Sequence, residues 1–123
     1  MNFINILSKE KNAYIIAEIG NNHQGSFEEA LKMADEAISC GVNAIKFQRR
    51  NNKNLFTDAF YSSPYQNPNS FGDSYGEHRE NLELSLIELE KIKLFVESKN
   101  CDFLVTPFDL SSLEDLEKIN CSF

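Results

Sequence analysis

The sequence predicts an α/β fold of parallel βα units that form the N-terminal part of a TIM-type (β/α)8 barrel. Three observations predict it. Short apolar runs alternate with amphipathic segments along the chain. Residues that commonly cap helices stand at the start of each amphipathic segment. Polar side chains follow each apolar run, at the end of a parallel strand where α/β proteins bind ligands.

The first βα unit begins with an apolar run, Tyr14–Glu18, that is predicted to be a strand. A helix is predicted from about Phe27 to Cys40. Ser26 and Glu29 form a capping-box pattern at its start, and Gly41 can adopt the left-handed conformation that ends a helix.

The second strand is predicted over Ala44–Gln48, and a long polar stretch follows from Arg49 to about Asn81. This stretch contains two X-Pro turn signals, at Ser63–Pro64 and Asn67–Pro68. A loop of this length inside a compact domain is usually functional or disordered. Its aromatic content argues against disorder, so we predict a partly ordered loop at the rim of a ligand site.

The third unit combines a helix, predicted over about Leu86–Lys99, with a strand over Phe103–Thr106. Ser85 and Glu88 repeat the capping-box pattern at the start of the helix. Asn100 is a suitable left-handed residue at its end.

The last predicted helix opens with the pair Ser111 and Glu114 and ends near Asn120, and Ser122–Phe123 resembles the first step of a fourth strand. A complete barrel needs ~250 residues. Residues 1–123 are therefore interpreted as the N-terminal portion of a barrel, with no second domain. A small flavodoxin-like sheet is the competing interpretation.

The formal net charge of −7 argues against nonspecific binding to nucleic acid or to anionic membranes. No apolar run approaches the ~18 residues that span a bilayer, and no signal peptide is recognisable, so we expect a cytoplasmic protein. The three cysteines lack CxxC spacing and are odd in number, which indicates reduced thiols in packing positions.

Strand geometry sorts the polar residues, because alternate residues of a strand share one face. By this rule Lys46 and Gln48 point to the same side of the second strand. Glu18 ends the first strand and Thr106 the third. Four side chains are thus predicted to converge at one edge of the sheet: Glu18, Lys46, Gln48 and Thr106.

Residue types alone leave the chemistry open. Glu18 could be a structural partner of Lys46 or a carboxyl placed for proton transfer. Lys46 could hold an anion, act as a Schiff-base nucleophile or only pair with Glu18. Gln48 and Thr106 are neutral hydrogen-bonding groups. For Asp109, capping of the following turn or helix is the favoured role.

Other polar residues carry weaker signals. His23 lies in a loop before a helix, where backbone N–H groups can bind an anion. His78 is distant in sequence, and both histidines are better explained by ordinary hydrogen bonding than by metal ligation. Arg49, Arg50 and Lys53 form a small basic cluster that is either a solvated loop face or an attractor for an anionic substrate. The chain contains no P-loop, GxGxxG or GxSxG motif.

Four blocks of the chain together resemble the N-acetylneuraminate (sialic acid) synthase family. The resemblance runs from about Ala13 onward and covers nearly the whole chain. The matching blocks, in order, are Ile16–His23, Ile45–Gln48, Asn69–Gly72 with Tyr75–Arg79, and Thr106–Asp109.

The resemblance implies a (β/α)8 barrel that joins phosphoenolpyruvate to an N-acetylhexosamine, such as N-acetylmannosamine, and releases phosphate. It implies catalytic roles for Glu18, beside the reacting centre, and for Lys46, which supports it electrostatically. It implies that Gln48 contacts the sugar and Thr106 the phosphate of phosphoenolpyruvate. His23 is implied as a substrate-binding residue of the rim.

The family also uses a divalent metal, Mn²⁺ or Mg²⁺, as a Lewis acid on the sugar aldehyde. The resemblance places its histidine ligands beyond Phe123, together with a C-terminal domain that completes the partner's site in a homodimer. This chain is therefore interpreted as a fragment of such an enzyme, without metal ligands of its own. The alternatives are a noncatalytic truncated product and a Schiff-base aldolase that uses Lys46.

Overall fold

Strands and helices alternate along the chain in the computed structural model, which describes residues 13–121. The strands in this range are β1 (Ile16–Gly20), β2 (Ala44–Arg49) and β3 (Asp102–Pro107). The helices are α1 (Phe27–Ser39), α2 (Asn52–Leu55), α3 (Asp58–Tyr61), α4 (Tyr75–Glu80), α5 (Leu86–Ser98) and α6 (Leu110–Lys118).

The three strands form one parallel sheet in the order β1-β2-β3, which is also their order along the chain. Barrels are built from strands in sequential order, whereas a flavodoxin-like sheet has the order 2-1-3-4-5. The strand order therefore confirms the predicted parallel βα units and contradicts the flavodoxin-like alternative.

The hydrophobic core lies on one side of the sheet. Helices α1 and α5 pack against each other and against the strands, and α6 packs on β3. The opposite face of the sheet carries the polar side chains described below. The largest fully buried apolar side chains are those of Phe47, Ile45, Leu89, Ile92, Leu116, Val96 and Val105.

The caps of α1 and α5 are formed largely as the sequence predicts. At α1 the predicted capping box is half formed. The Ser26 hydroxyl accepts the N–H of Glu29, but the Ser26 N–H donates to the carbonyl of His23 and not to Glu29. Gly41 has a φ of 84° after the helix. At α5 the capping box is complete, since Ser85 and Glu88 each accept the other's backbone N–H. These contacts satisfy N–H groups that would otherwise lack partners in the first helical turn.

Strand β1 begins two residues later than predicted and extends to Gly20. The carbonyl of Ile15 accepts the N–H groups of Asn43 and Ala44, where the chain enters β2. Gly20 has a φ of 59°, which lets the strand continue past an irregularity between Glu18 and Gly20.

Helix α6 begins at Leu110, so the predicted cap at Ser111 is wrong. The cap is Asp109, whose carboxylate accepts hydrogen bonds from Ser111 and Ser112. A charged carboxylate, here two residues earlier, is a stronger acceptor than a hydroxyl. This result confirms the capping role expected of Asp109. The fourth strand predicted at Ser122–Phe123 lies outside the described residues.

The stretch after β2, here called the rim segment (residues 49–81), is not a plain loop, because it contains α2, α3 and α4. Aromatic packing orders it. The ring of Tyr75 lies 4.6 Å from that of Phe60, 5.1 Å from that of Phe56 and 5.4 Å from that of Tyr65, between centroids. Gly76 leaves room for this packing, since a Cβ atom there would lie 2.4 Å from the ring of Tyr61.

Candidate active site

An ion pair between Glu18 and Lys46 joins the first two strands. The two residues are direct partners in the register of β1 and β2. The Lys46 Nζ atom lies 2.8 Å from Glu18 Oε2, and both side chains are partly exposed. Phe47, the next residue of β2, is completely buried on the opposite side. The pair therefore stands on the sheet face that the core leaves free, here called the site face.

Gln48 and Thr106 lie opposite each other in the register of β2 and β3 and share the site face with Lys46. An ideal Cβ atom at Gly20 would lie 3.4 Å from Gln48 Nε2 and 3.7 Å from Glu18 Oε1. The absence of a side chain at Gly20 thus leaves free space that both the Gln48 amide and the Glu18 carboxylate border. Glu18, Lys46, Gln48 and Thr106 thus lie on the same face of the sheet, as the alternation of side chains along the strands predicts.

Arg50 is a further residue of this face, and its contacts were not anticipated from the sequence. Its Nη2 donates a hydrogen bond to Gln48 Oε1. Its Nη1 lies 3.6 Å from Glu83 Oε1, and its Cζ lies 4.0 Å from the centroid of the Phe108 ring. Burial lowers the pKa of Arg50, and the charge of Glu83 opposes this effect. Positions 46, 48 and 50 alternate along the chain, so the strand rule that groups Lys46 with Gln48 could also have placed Arg50 on this face.

The other members of the predicted basic cluster behave differently. Arg49 turns to the helical side, where it donates to the carbonyl of Leu84 at 2.7 Å and to Asp115 at 2.9 Å. A cavity of about 590 Å³ lies at this end of the sheet. The charged residues of its wall are three cations and three carboxylates: Arg49, Arg50, Lys53, Glu80, Glu83 and Asp115. The positive charge is thus balanced locally.

His23 is buried on the other side of the sheet. Its ring centroid lies 5.8 Å from that of Phe47, and its Nδ1 accepts the N–H of Gly25 at 3.1 Å. Burial lowers the pKa of His23, although the Gly20 backbone and Glu88 favour its charged form. The structure does not bring His23 together with the four residues of the site face, and its substrate-binding role stays a prediction.

His78 belongs to the aromatic packing of the rim segment. Its ring centroid lies 4.6 Å from that of Tyr65, and its Nδ1 accepts the N–H of Phe71 at 3.2 Å. Within residues 13–121 no group of three His, Cys, Asp or Glu side chains could hold a metal ion. The described residues thus do not by themselves fit the divalent metal implied by the resemblance.

Asp109 connects the ends of β2 and β3. Its carboxylate accepts the backbone N–H of Asn51 at 2.7 Å, besides the hydrogen bonds that cap α6. Burial opposes ionisation, but the hydrogen bonds from Ser111, Asn51 and Ser112 outweigh it and lower the pKa of Asp109 to about 2. This carboxylate is fully occupied by structural donors, which supports a positioning role.

The three cysteines are free thiols, and in the described residues none belongs to a group that could hold a metal ion. Cys101 and Cys121 are buried, as expected of packing residues, whereas Cys40 is exposed at the end of α1. Burial raises the pKa of the Cys121 thiol to about 11. No helix in the described range is long and apolar enough to cross a membrane.

Comparison with known proteins gives consistent matches. The model of the NeuB family matches residues 33–123. N-acetylneuraminate-9-phosphate synthase of Drosophila melanogaster is 39% identical over 110 residues, which are 89% of this chain and 30% of the relative. N,N'-diacetyllegionaminic acid synthase of Campylobacter jejuni is 34% identical over 110 residues, which are 89% of this chain and 33% of that enzyme.

A solved structure shows the same fold. N-acetylneuraminic acid (sialic acid) synthetase of Leptospira borgpetersenii, in complex with citrate, aligns with a TM-score of 0.69 at 32% identity. The alignment covers 90% of this chain and 34% of the synthetase. The chain thus spans about a third of the length of these proteins.

Proposed function

Because the chain belongs to the NeuB family, we propose that it is the N-terminal portion of a synthase that condenses phosphoenolpyruvate with an N-acetylhexosamine. The product is a nonulosonic acid of the sialic acid type, and phosphate is released. One observation carries the proposal: Glu18, Lys46, Gln48 and Thr106 share one face at the C-terminal ends of adjacent parallel strands. The relatives are synthases of N-acetylneuraminate 9-phosphate and of N,N'-diacetyllegionaminic acid, which supports this reaction class.

The side chains at the ends of β2 and β3 suit phosphoenolpyruvate. This substrate carries a phosphate and a carboxylate, so it requires cations and hydrogen-bond donors. Lys46 provides an ammonium group and Thr106 provides a hydroxyl. In the proposed arrangement Thr106 donates to the phosphate, and Lys46 offsets negative charge while its partner Glu18 keeps it in place at 2.8 Å.

Glu18 is proposed to move a proton. The enol carbon of phosphoenolpyruvate forms a bond to the sugar aldehyde, whose oxygen takes up a proton. Water adds at C2 and loses one proton, which leaves a C2 hydroxyl. The bond between C2 and the phosphate oxygen then breaks as the hydroxyl proton leaves and a C2 carbonyl forms. A carboxylate within reach of both events can exchange these protons. Glu18 lies on the site face, paired with Lys46 and on the same side of the sheet as Gln48 and Thr106.

Gln48 is proposed to bind the sugar, because an amide can hydrogen-bond a hydroxyl or an acetamido oxygen without adding charge. The divalent metal, Mn²⁺ or Mg²⁺, stays an expectation for the rest of the protein, since the described residues do not hold it. No step above uses the metal. The homodimer implied by the resemblance is likewise part of the proposal.

The test is an assay of the complete enzyme, in which this chain is joined to the rest of its barrel. Phosphate release should require both phosphoenolpyruvate and an N-acetylhexosamine. A Schiff-base aldolase would instead form an imine at Lys46, which borohydride would trap in the presence of a carbonyl substrate. Covalent trapping at Lys46 would overturn the proposal.

A further inference from the structure

The Gln48 amide accepts a hydrogen bond from Arg50, and Arg50 also contacts Glu83 and the Phe108 ring. We propose that Arg50 is a positioning residue that fixes the orientation of the Gln48 amide, so that Gln48 presents its NH₂ group to an acceptor oxygen of the N-acetylhexosamine. This inference rests on the proposed function and deepens it. It makes Gln48 a hydrogen-bond donor to the sugar and assigns Arg50 to sugar specificity.

The orientation of the amide follows from the chemistry of its neighbour. A guanidinium group has only N–H donors, so the end of the amide that faces Arg50 must be the oxygen. The NH₂ end therefore points toward β1, where Nε2 lies 3.4 Å from an ideal Cβ position at Gly20. The structure shows no hydrogen-bond acceptor for Nε2 among residues 13–121, so this donor is available to a ligand.

Without Arg50 the amide would have no fixed orientation. The terminal torsion of glutamine is broad and roughly two-fold, so a free amide could present either its oxygen or its NH₂ group to a ligand on the site face. The flipped form would turn the NH₂ group toward the N–H groups of Arg50. That arrangement places donor against donor, and Arg50 thus selects one of the two orientations.

Arg50 is suited to this role because its own position is fixed. Only 11% of its side chain and 10% of the Glu83 side chain are exposed, and the two groups are 3.6 Å apart. The Phe108 ring covers the guanidinium plane at 4.0 Å. The planar guanidinium can pair with Glu83, stack on Phe108 and donate to Gln48 together. A lysine at position 50 would keep the charge but could not make all three contacts.

The experiment is a double-mutant cycle in the complete enzyme. Arg50→Lys should lower kcat/KM for the N-acetylhexosamine about 10- to 100-fold, as loss of orientation does. The KM for phosphoenolpyruvate should change less than about twofold, because Lys46 and Thr106 are untouched. In a Gln48→Ala background, Arg50→Lys should lower kcat/KM for the sugar by less than about twofold, because Arg50 acts through Gln48. An equal loss in both backgrounds would overturn the inference.

The matched control is Arg49→Lys, the same change one residue earlier on the helical side of the strand. Arg49 holds Leu84 and Asp115, so this variant should lower the melting temperature without a sugar-selective loss. Should Arg50→Lys fail to fold, Glu83→Gln leaves Arg50 in place and weakens its anchor. It should shift kcat/KM for the sugar in the same direction by a smaller factor. No sugar-selective change in that variant would also contradict the inference.

A spectroscopic readout separates this inference from the proposed function. The Gln48 side-chain NH₂ resonances, assigned by their loss in Gln48→Ala, should differ from those of solvent-exposed glutamines in the ¹⁵N–¹H spectrum. In Arg50→Lys, the chemical shifts of the Gln48 NH₂ group should move toward those of solvent-exposed glutamines. A complete enzyme that lacks condensation activity would disprove the proposed function, while this spectrum would still test the contact. Unchanged resonances in Arg50→Lys would disprove the positioning role.

Discussion

The Glu18–Lys46 ion pair lies where water reaches both side chains, with 45% of Glu18 and 34% of Lys46 exposed. An ion pair with this exposure contributes roughly 0–1 kcal/mol to stability. In the chain as described, the pair therefore adds little to the free energy of unfolding. Its place at the ends of two parallel strands, next to Gln48, favours chemistry over packing.

Replacing Glu18 by glutamine should separate these two roles. In the complete enzyme, Glu18→Gln should lower kcat about 10²- to 10⁴-fold, because a proton-transfer group is lost, and leave both KM values nearly unchanged. The melting temperature should shift little. Glu97→Gln is the matched control, because it removes a carboxylate from an ion pair on the outer part of α5. Near-normal turnover of Glu18→Gln would reduce Glu18 to a structural partner of Lys46.

The buried His23 ring gives a second prediction at this scale. Burial lowers the pKa of His23 in the folded protein below its value of 6.5 in the unfolded chain. The folded state therefore binds this proton less readily. The stability linked to His23 is complete above about pH 6.5 and is lost as the pH falls toward the folded pKa.

His23→Gln should weaken this pH dependence, because an amide can accept the N–H of Gly25 without titrating. The measurement is the free energy of unfolding in urea at pH 7.5 and pH 5.5. His78→Gln is the comparison, since it leaves the contribution of His23 in place. If the difference between the two pH values were the same for wild type and His23→Gln, His23 would not be the titrating group.

Among the elements, those with strong local signals were the ones that the sequence could predict. The capping box at Ser85 and Glu88 fixes the start of α5, and the left-handed Asn100, with a φ of 57°, follows its end. Two competing caps could not be ranked from sequence. Asp109 and Ser111 both offer an acceptor, and only the fold shows that the Asp109 carboxylate also receives the N–H of Asn51. That donor is 58 residues away along the chain.

The structure of the rim segment likewise depends on contacts between residues distant in sequence. Helices α2 and α3 have four residues each, too few for a helical period to be recognised. Their stability comes from aromatic packing around Tyr75, which joins residues distant in sequence. Aromatic content predicted order in this stretch but could not specify the arrangement. The contacts of Arg50 with Glu83 and Phe108 were hidden for the same reason.

Deletion of Pro64 through Asp73 tests whether the rim segment serves binding. The ends are already close, because the N–H of Tyr75 donates to the carbonyl of Ser63 at 2.9 Å. In the complete enzyme the deletion should raise the KM for the sugar several-fold and lower the melting temperature only slightly, since loops at strand ends carry function. A comparable loss of stability and binding would show that the segment belongs to the structural core.

For the whole molecule, strand order and the one-sided core were predictable because each follows from alternating βα units. Predicting the face shared by Glu18, Lys46, Gln48 and Thr106 needed only strand parity and a common register. Strand parity could not assign the roles of these side chains, because their residue types are compatible with more than one chemistry. In the part of the chain that the structure describes, β1 and β3 each have one unpaired edge.

These edges lead to the last prediction, which concerns the 123-residue chain alone. We expect it to lack synthase activity and to bind no divalent metal tightly. A catalytic metal site generally needs about three protein ligands, and residues 13–121 hold no such group. The site face also needs further strands to exclude water from Glu18 and Lys46, which are partly exposed. An open parallel edge favours marginal stability or self-association.

The purified chain should be assayed with phosphoenolpyruvate, N-acetylmannosamine and Mn²⁺, with metal titration by calorimetry and sedimentation to measure self-association. The complete enzyme is the positive control under the same conditions. We expect no phosphate release above background and a mass above that of one chain, because the unpaired edges of β1 and β3 can pair with another copy. Phosphate release that depends on both substrates, or micromolar metal binding, would show that these three βα units already form a working site.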